Sequence, residues 1–206
     1  MKPVSLLAEQ PFIWIANNKF PASTVLEWIS LAKARPKKIV FAHNGVASFT
    51  NLGAEMFMQL TGSEMLAVPY KVNATPDLLS GVVDMKMEPA STAIPLIKSG
   101  MVKALAVTSA TRMPSLPDVP AMAEFFPGFV VTGNYSVWVP AGTPPKIVES
   151  LNSELVKIVK QKEFQNRVGE ISIRTIGSTP EVLWAETRKE SAAWERLIKE
   201  RNIKVE

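Results

Sequence analysis

Between residues 12 and 108, short apolar runs alternate with stretches of helical spacing, and this limits the fold more than any other feature. Residues 12–15 are an apolar run bounded by Pro11 and Asn17 and read as a short strand. Ser23 then stands as a helix N-cap, and Val25, Trp28, Ile29 and Ala32 keep helical spacing up to Arg35-Pro36. A buried-type strand at 39–42 leads into the polar loop His43-Asn44-Gly45-Val46-Ala47-Ser48. The next helix starts near Thr50, sets Leu52, Met56 and Leu60 on one face and ends at Gly62. Strands at 65–70, 82–87 and 102–108 follow, separated by short helices at 76–80 and 92–98 that close on Gly81 and Gly100. Strand and helix taking turns predict an α/β fold with a mostly parallel sheet and helices on both faces.

The remainder is less regular. Residues 112–120 hold three prolines and read as a surface loop, with a brief helix before Pro127-Gly128. The run 129–139 is long for a strand and contains Gly133, so it bends or crosses between domains. Pro140-Ala141-Gly142-Thr143-Pro144 launches a helix whose stripe is Ile147, Leu151, Leu155 and Ile158. A strand at 171–176 precedes Ser178-Thr179-Pro180-Glu181. There either Ser178 caps the last helix with Glu181, or Thr179 caps it with Pro180 in the first turn.

Charge and residue usage exclude several functions. The formal charge is +4, but Lys157, Lys160 and Lys162 share a helix with Glu154 and Glu163, and signs alternate from Arg188 to Lys204. Such mixing marks solvated helix faces, and no aromatic–basic platform points to nucleic acid. No cysteine and a single histidine, His43, leave no material for a disulfide, a thiolate metal site or a histidine cluster. No P-loop or dinucleotide fingerprint is found, so no cofactor is expected. Ser48, between a strand and a helix, resembles a nucleophile elbow. The Gly-x-Ser-x-Gly pattern is incomplete, however, and a triad histidine must approach from a separate loop, so a Ser-dependent hydrolase is not expected. No run approaches the about 18 apolar residues of a membrane span. The opening MKPVSLLAEQPF does not read as a signal peptide, so the chain as given reads as mature, truncated or cytosolic.

One set of segments runs nearly end to end: Pro3-Val4-Ser5-Leu6-Leu7-Ala8-Glu9, Phe20-Pro21-Ala22-Ser23, Val68-Pro69-Tyr70-Lys71, Asp77-Leu78-Leu79-Ser80-Gly81 with Val83-Asp84, Leu105-Ala106-Val107-Thr108-Ser109, Leu116-Pro117-Asp118-Val119-Pro120 and Pro140-Ala141-Gly142-Thr143-Pro144. In order and spacing the set resembles the tripartite tricarboxylate transporter substrate-binding receptors, the Bug family of periplasmic solute-binding proteins. The resemblance implies a two-lobed, type II Venus-flytrap fold with the ligand in the cleft and the second lobe incomplete. Residues 14–131 would form one complete α/β lobe; 1–13 and 132–206 would supply crossover strands and the remainder of the other. It also implies a non-catalytic receptor for a di- or tricarboxylate, an amino acid or an aromatic acid, delivering it to membrane transporter subunits from the periplasm. Full-length members carry a further segment before the position of Met1, with a strand and a glycine-rich loop. Natural loss, a wrongly assigned start codon or a deliberate cut would each explain its absence.

A carboxylate leaving water needs several converging donors, and a loop turning into a helix offers backbone N–H groups and the helix dipole together. By the resemblance, Gly45, Ala47, Ser48, Thr50 and Asn51 stand where the family has such a loop, usually Gly-x-Gly-Ser, a small polar residue and His-Leu. Ala47 replaces the second glycine, and its methyl group restricts backbone approach. Ser48 or Thr50 as a plain helix cap is the competing reading. Asn73 lies in a turn shorter than the family's. Glu88, with Pro89, replaces the usual Asp-Asn pair; it would accept from an ammonium or hydroxyl and repel a carboxylate. Tyr135, beside Asn134, either packs on the ligand or is a buried sheet tyrosine. His43 either pairs with a ligand anion when protonated or is an ordinary solvated residue.

The rival reading is a truncated remnant or interaction protein that binds no solute. The helix at 144–160 and the last helix carry apolar stripes that need a sheet to cover. Each large apolar side chain left in water forfeits about 1.5–3 kcal/mol. Self-association through the incomplete lobe, a partner that supplies strands, or a partly disordered C-terminal half is expected.

Overall fold

A computed structural model describes residues 1–204. Its first strand, β1 (Lys2–Asn17), runs 16 residues, well beyond the expected 12–15. Proline donates no ladder bond, which made Pro11 read as a boundary. The strand passes through it because its neighbours change there. Ala8 and Glu9 pair with β7 (Arg174–Thr175), while Phe12 onward pairs with β4 (Met85–Pro89) and β5 (Val102–Val107).

The residues fall into two compact units, one of them Pro11–Thr132 joined by the residues from Arg196. Along it run α1 (Val25–Ala34), β2 (Val40–His43), α2 (Phe49–Thr61), β3 (Leu66–Pro69), α3 (Thr75–Ser80), β4, α4 (Ala90–Lys98) and β5. The strand order is β3-β2-β4-β1-β5. β2 is parallel to β3 and β4, but β1 is antiparallel to both its neighbours. The sheet is therefore mixed rather than mostly parallel, because the crossing strand β1 is inserted against the others. Alternation along β1 feeds both faces. Trp14 lies 5.0 Å from Trp28 of α1, which stacks on Phe57 of α2 at 3.8 Å. Ile13 and Ile15 join Leu78, Ala90, Ala93 and Val107 in a second cluster.

Local chemistry sets the boundaries. Thr24, not Ser23, caps α1, in a capping box with Glu27. Gly62 and Gly81 end α2 and α3 in the left-handed conformation. β4 starts at Met85 rather than 82 because the N–H groups of Gly81, Val82 and Val83 all donate to the Asp77 carbonyl.

The second unit comprises Met1–Gln10 and Gly133–Glu195. In it β6 (Thr132–Val139) and β7 each pair with β1, and α5 (Pro145–Val159), α6 (Lys162–Gly169) and most of α7 (Pro180–Glu200) accompany them. The expected strand at 171–176 shrinks to the two residues of β7. Ile171 and Ile173 donate to Val168 at the end of α6, and Ser172 is left-handed. Pro180 opens α7, so Thr179 is its cap, and Ser178 serves β1 instead by accepting from the Leu6 N–H at 2.9 Å. The residues from Arg196, expected with this unit, group with the other. Arg201 pairs there with Glu55 at 2.8 Å and Glu64 at 3.0 Å.

Candidate functional site

Three parallel strands, β3, β2 and β4, end on the same side of the sheet, at Pro69, His43 and Pro89. The crevice outside the carboxyl ends of parallel strands is where open α/β sheets take ligands. A cavity of about 540 Å³ lies there. The residues after β2 (Asn44, Gly45), those after β3 (Tyr70 to Asn73) and Lys86 and Glu88 of β4 line it.

The loop from β2 to α2 is locked by its own side chains. Gly45 and Ala47 both have positive φ, 108° and 61°. Ser48 is the N-cap: its Oγ accepts from the Asn51 N–H and donates to the Gly45 carbonyl at 2.7 Å. Thr50, buried, accepts from the Asn44 N–H at 3.0 Å, and Asn51, also buried, accepts from the Ala47 N–H at 3.1 Å. The Ala47 amide and the Asn51 carbonyl are thus spent on each other. Among the described residues, the N–H groups of Gly45, Val46, Phe49 and Thr50 meet no protein acceptor. Gly45 lines the cavity.

His43 corrects an expectation. It is 3% exposed, not solvated. Its Nδ1 lies 2.9 Å from the Gly45 carbonyl, which can only accept, so Nδ1 carries the proton. Burial lowers its pKa below the ordinary 6.5, against smaller opposing effects of the Gly45 bond and Glu55. The ring is a neutral brace for the loop rather than a cation for a ligand anion.

The residue that the sequence reading missed is Lys86. It is 5% exposed and lines the cavity. Its Nζ pairs with Glu88 Oε2 and reaches Asn73 Oδ1 at 3.4 Å and Thr75 Oγ1 at 3.3 Å. Lys86 and Glu88 are two apart on a strand and so share a face. Glu88 Oε1 also accepts from the Thr92 hydroxyl at 2.6 Å. Asn73 makes a local turn, accepting from the Thr75 N–H at 3.0 Å. Its one local mark in the sequence is a lysine set between two methionines, Met85-Lys86-Met87.

Gly45, Asn73 and Glu88 thus meet around one cavity, while Ala47, Ser48, Thr50 and Asn51 build the loop beside it. Tyr135 belongs to the other unit, where it is 47% exposed and its hydroxyl donates to Gln10 Oε1 at 2.9 Å. Gln10 Nε2 is buried without a partner. Among the described residues no group of three or more His, Asp or Glu is placed to hold a metal ion, and no helix is long and apolar enough to cross a membrane.

The described residues thus combine an α/β sheet with a polar crevice at the ends of its parallel strands. The family model described as "Tripartite tricarboxylate transporter family receptor" matches residues 1–203, and the chain belongs to that family. A relative from Pseudomonas sp. (strain P51), described as a UPF0065 protein in the tcbD-tcbE intergenic region, is 34% identical over 96% of this chain and 60% of its own length. The chain thus spans about 60% of the length of that curated relative. Among solved structures, Rpa4515 of R. palustris with adipate matches with a TM-score of 0.86 at 31% identity, over 98% of this chain and 69% of that one. MatC of Rhodopseudomonas palustris with bound malate matches with a TM-score of 0.82 at 28% identity, over 96% and 69%.

Proposed function

We propose that this chain holds a small carboxylate in the crevice beside Gly45 and Lys86, without chemical turnover, as a receptor for a membrane transporter. The observation that carries the reading is the cavity itself. A buried lysine lines it, together with Gly45, whose N–H meets no protein acceptor among the described residues, at the ends of three parallel strands. A carboxylate seated there regains the hydrogen bonds it leaves in water. The adipate and malate held by the two solved relatives support this ligand class. Delivery to transporter subunits from the periplasm is part of the same proposal and follows the family. So is the assignment of residues 14–131 to one lobe and of 1–13 and 132–195 to the other, with the residues from Arg196 moved to the first.

The test is a thermal shift of the 206-residue chain with adipate, malate and further acids at millimolar concentration. A ligand at a hundred times its Kd stabilises by about 2.7 kcal/mol, so binding raises the midpoint visibly. Lys86→Met should abolish the rise. An unmoved midpoint with every acid would favour the reading of a remnant or interaction protein. Exposed Ile147, Leu151, Ile158, Val182 and Trp184 support self-association through the 133–195 unit. Sedimentation should then show mass rising with concentration, and a monomer throughout would remove that part.

A further inference from the structure

The pairing at the cavity wall goes further than a generic acid site. We infer that Lys86 and Glu88 form a dipolar subsite that selects acids bearing an ammonium group over the same acids without one; this rests on the carboxylate-receptor reading. Both side chains are nearly buried, with 7% and 15% of their surface exposed, and both face the same cavity. Their charges cancel, so the pair offers no net attraction to a dianion. The other lining cation, Lys71, is exposed and screened by water.

Hydrogen-bond capacity points the same way. An ammonium has three protons. One of those on Lys86 serves Glu88, while the contacts at 3.3 and 3.4 Å are long for N–H···O bonds. A ligand carboxylate would replace those long contacts with a charge-assisted bond. Glu88 takes Lys86 on one oxygen and Thr92 on the other, yet a carboxylate accepts about four bonds. Its spare lone pairs suit a charged donor. A second carboxylate beside them would meet a like charge whose counter-ion, Lys86, is already shared with the first, so the ligand that completes both halves carries a carboxylate and an ammonium.

The test uses succinate, malate and aspartate, which differ only in H, OH or NH₃⁺ on one carbon, with calorimetry on the 206-residue chain. Aspartate is expected to bind at least about tenfold tighter than succinate, with malate between them. Glu88→Gln should erase that order by weakening aspartate while leaving succinate equal or tighter. Because Glu88→Gln leaves Lys86 without its counter-charge, the melting midpoint without ligand is read in parallel. The double variant Lys86→Met with Glu88→Gln, which strands no charge, should also lose the preference. Succinate binding as tightly as aspartate, or a preference that survives in both variants, overturns the inference and leaves the receptor reading standing. Binding of no acid at all, adipate included, overturns both.

Discussion

His43 turns a buried ring into a pH dependence. Its folded pKa lies below the ordinary 6.5 because burial disfavours the imidazolium. The unfolded chain therefore binds this proton more readily than the folded one. Its contribution is whole above 6.5 and is lost as the pH falls through the lowered folded value. Wild type should lose urea stability between about pH 7 and pH 5 more steeply than His43→Gln, which can keep a donor to the Gly45 carbonyl. Parallel slopes would show that the ring is not held neutral. Ala47 offers a second test, since its φ of 61° is glycine territory. Relief of roughly 1–2 kcal/mol of left-handed strain should outweigh the roughly 0.4–1 kcal/mol of extra chain entropy. Ala47→Gly should therefore raise the urea midpoint by the equivalent of about 0.5–1 kcal/mol; a lower midpoint would contradict it. The loop at 43–51 was legible because a strand end, Gly45 and a serine cap are local signals. Lys86 was not. Its meaning depends on which strand face borders the crevice and on Glu88 and Asn73 converging there, which only the fold decides.

A few partly or fully buried polar groups join elements here alongside the apolar packing. Asn152 on α5 donates to the carbonyls of Val4 on β1 and of Ser178 ahead of α7, both at 2.8 Å. The Ser178 carbonyl also accepts from the Ser5 hydroxyl at 2.8 Å. Asn152→Ala removes both donors and leaves the Val4 carbonyl to find another partner. A loss of about 2 kcal/mol is expected, the cost of an unsatisfied buried group, read as a lower urea midpoint. A change below roughly 0.5 kcal/mol would mean that water replaces the side chain freely. Element ends with covalent punctuation were legible in advance: Gly62 and Gly81 close their helices as expected, and Pro180 opens the last one. The ends that failed were decided by non-local neighbours. β1 runs through Pro11 because different strands flank it on either side. The strand expected at 171–176 is cut to Arg174–Thr175 because the N–H groups of Ile171 and Ile173 are taken by the Val168 carbonyl at the end of α6.

At the scale of the molecule, the two units are unequally built. The one holding Pro11–Thr132 buries Trp14, Trp28, Phe41, Phe57, Leu78, Met85 and Leu105 to 2% exposure or less. The one holding Met1–Gln10 and Gly133–Glu195 buries far smaller groups, Val4, Leu6, Val148, Val159 and Leu183, and leaves Ile147, Leu151, Ile158 and Trp184 at 39% exposure or more. Its three strand segments give few ladder bonds, and β7 has only two residues. Net stability is a small difference between burial and chain entropy, so a unit with little buried apolar surface opens at a lower cost. Urea should therefore unfold the chain in two steps. Trp138 and Trp184, which pack edge to face at 5.9 Å in the weaker unit, report the first step. The second is reported by Trp14 and Trp28. Hydrogen exchange should order the amides in the same way, with β6, α5 and α7 up to residue 195 exchanging before β2, β4 and β5. A ligand held at the ends of β2, β3 and β4 binds the stronger unit, so it should shift the second step and leave the first in place. A single transition reported alike by both of these tryptophan pairs would mean that the weaker unit draws its stability from the stronger one. Movement of the first step alone on adding acid would place the binding groups in the 133–195 unit, away from Lys86.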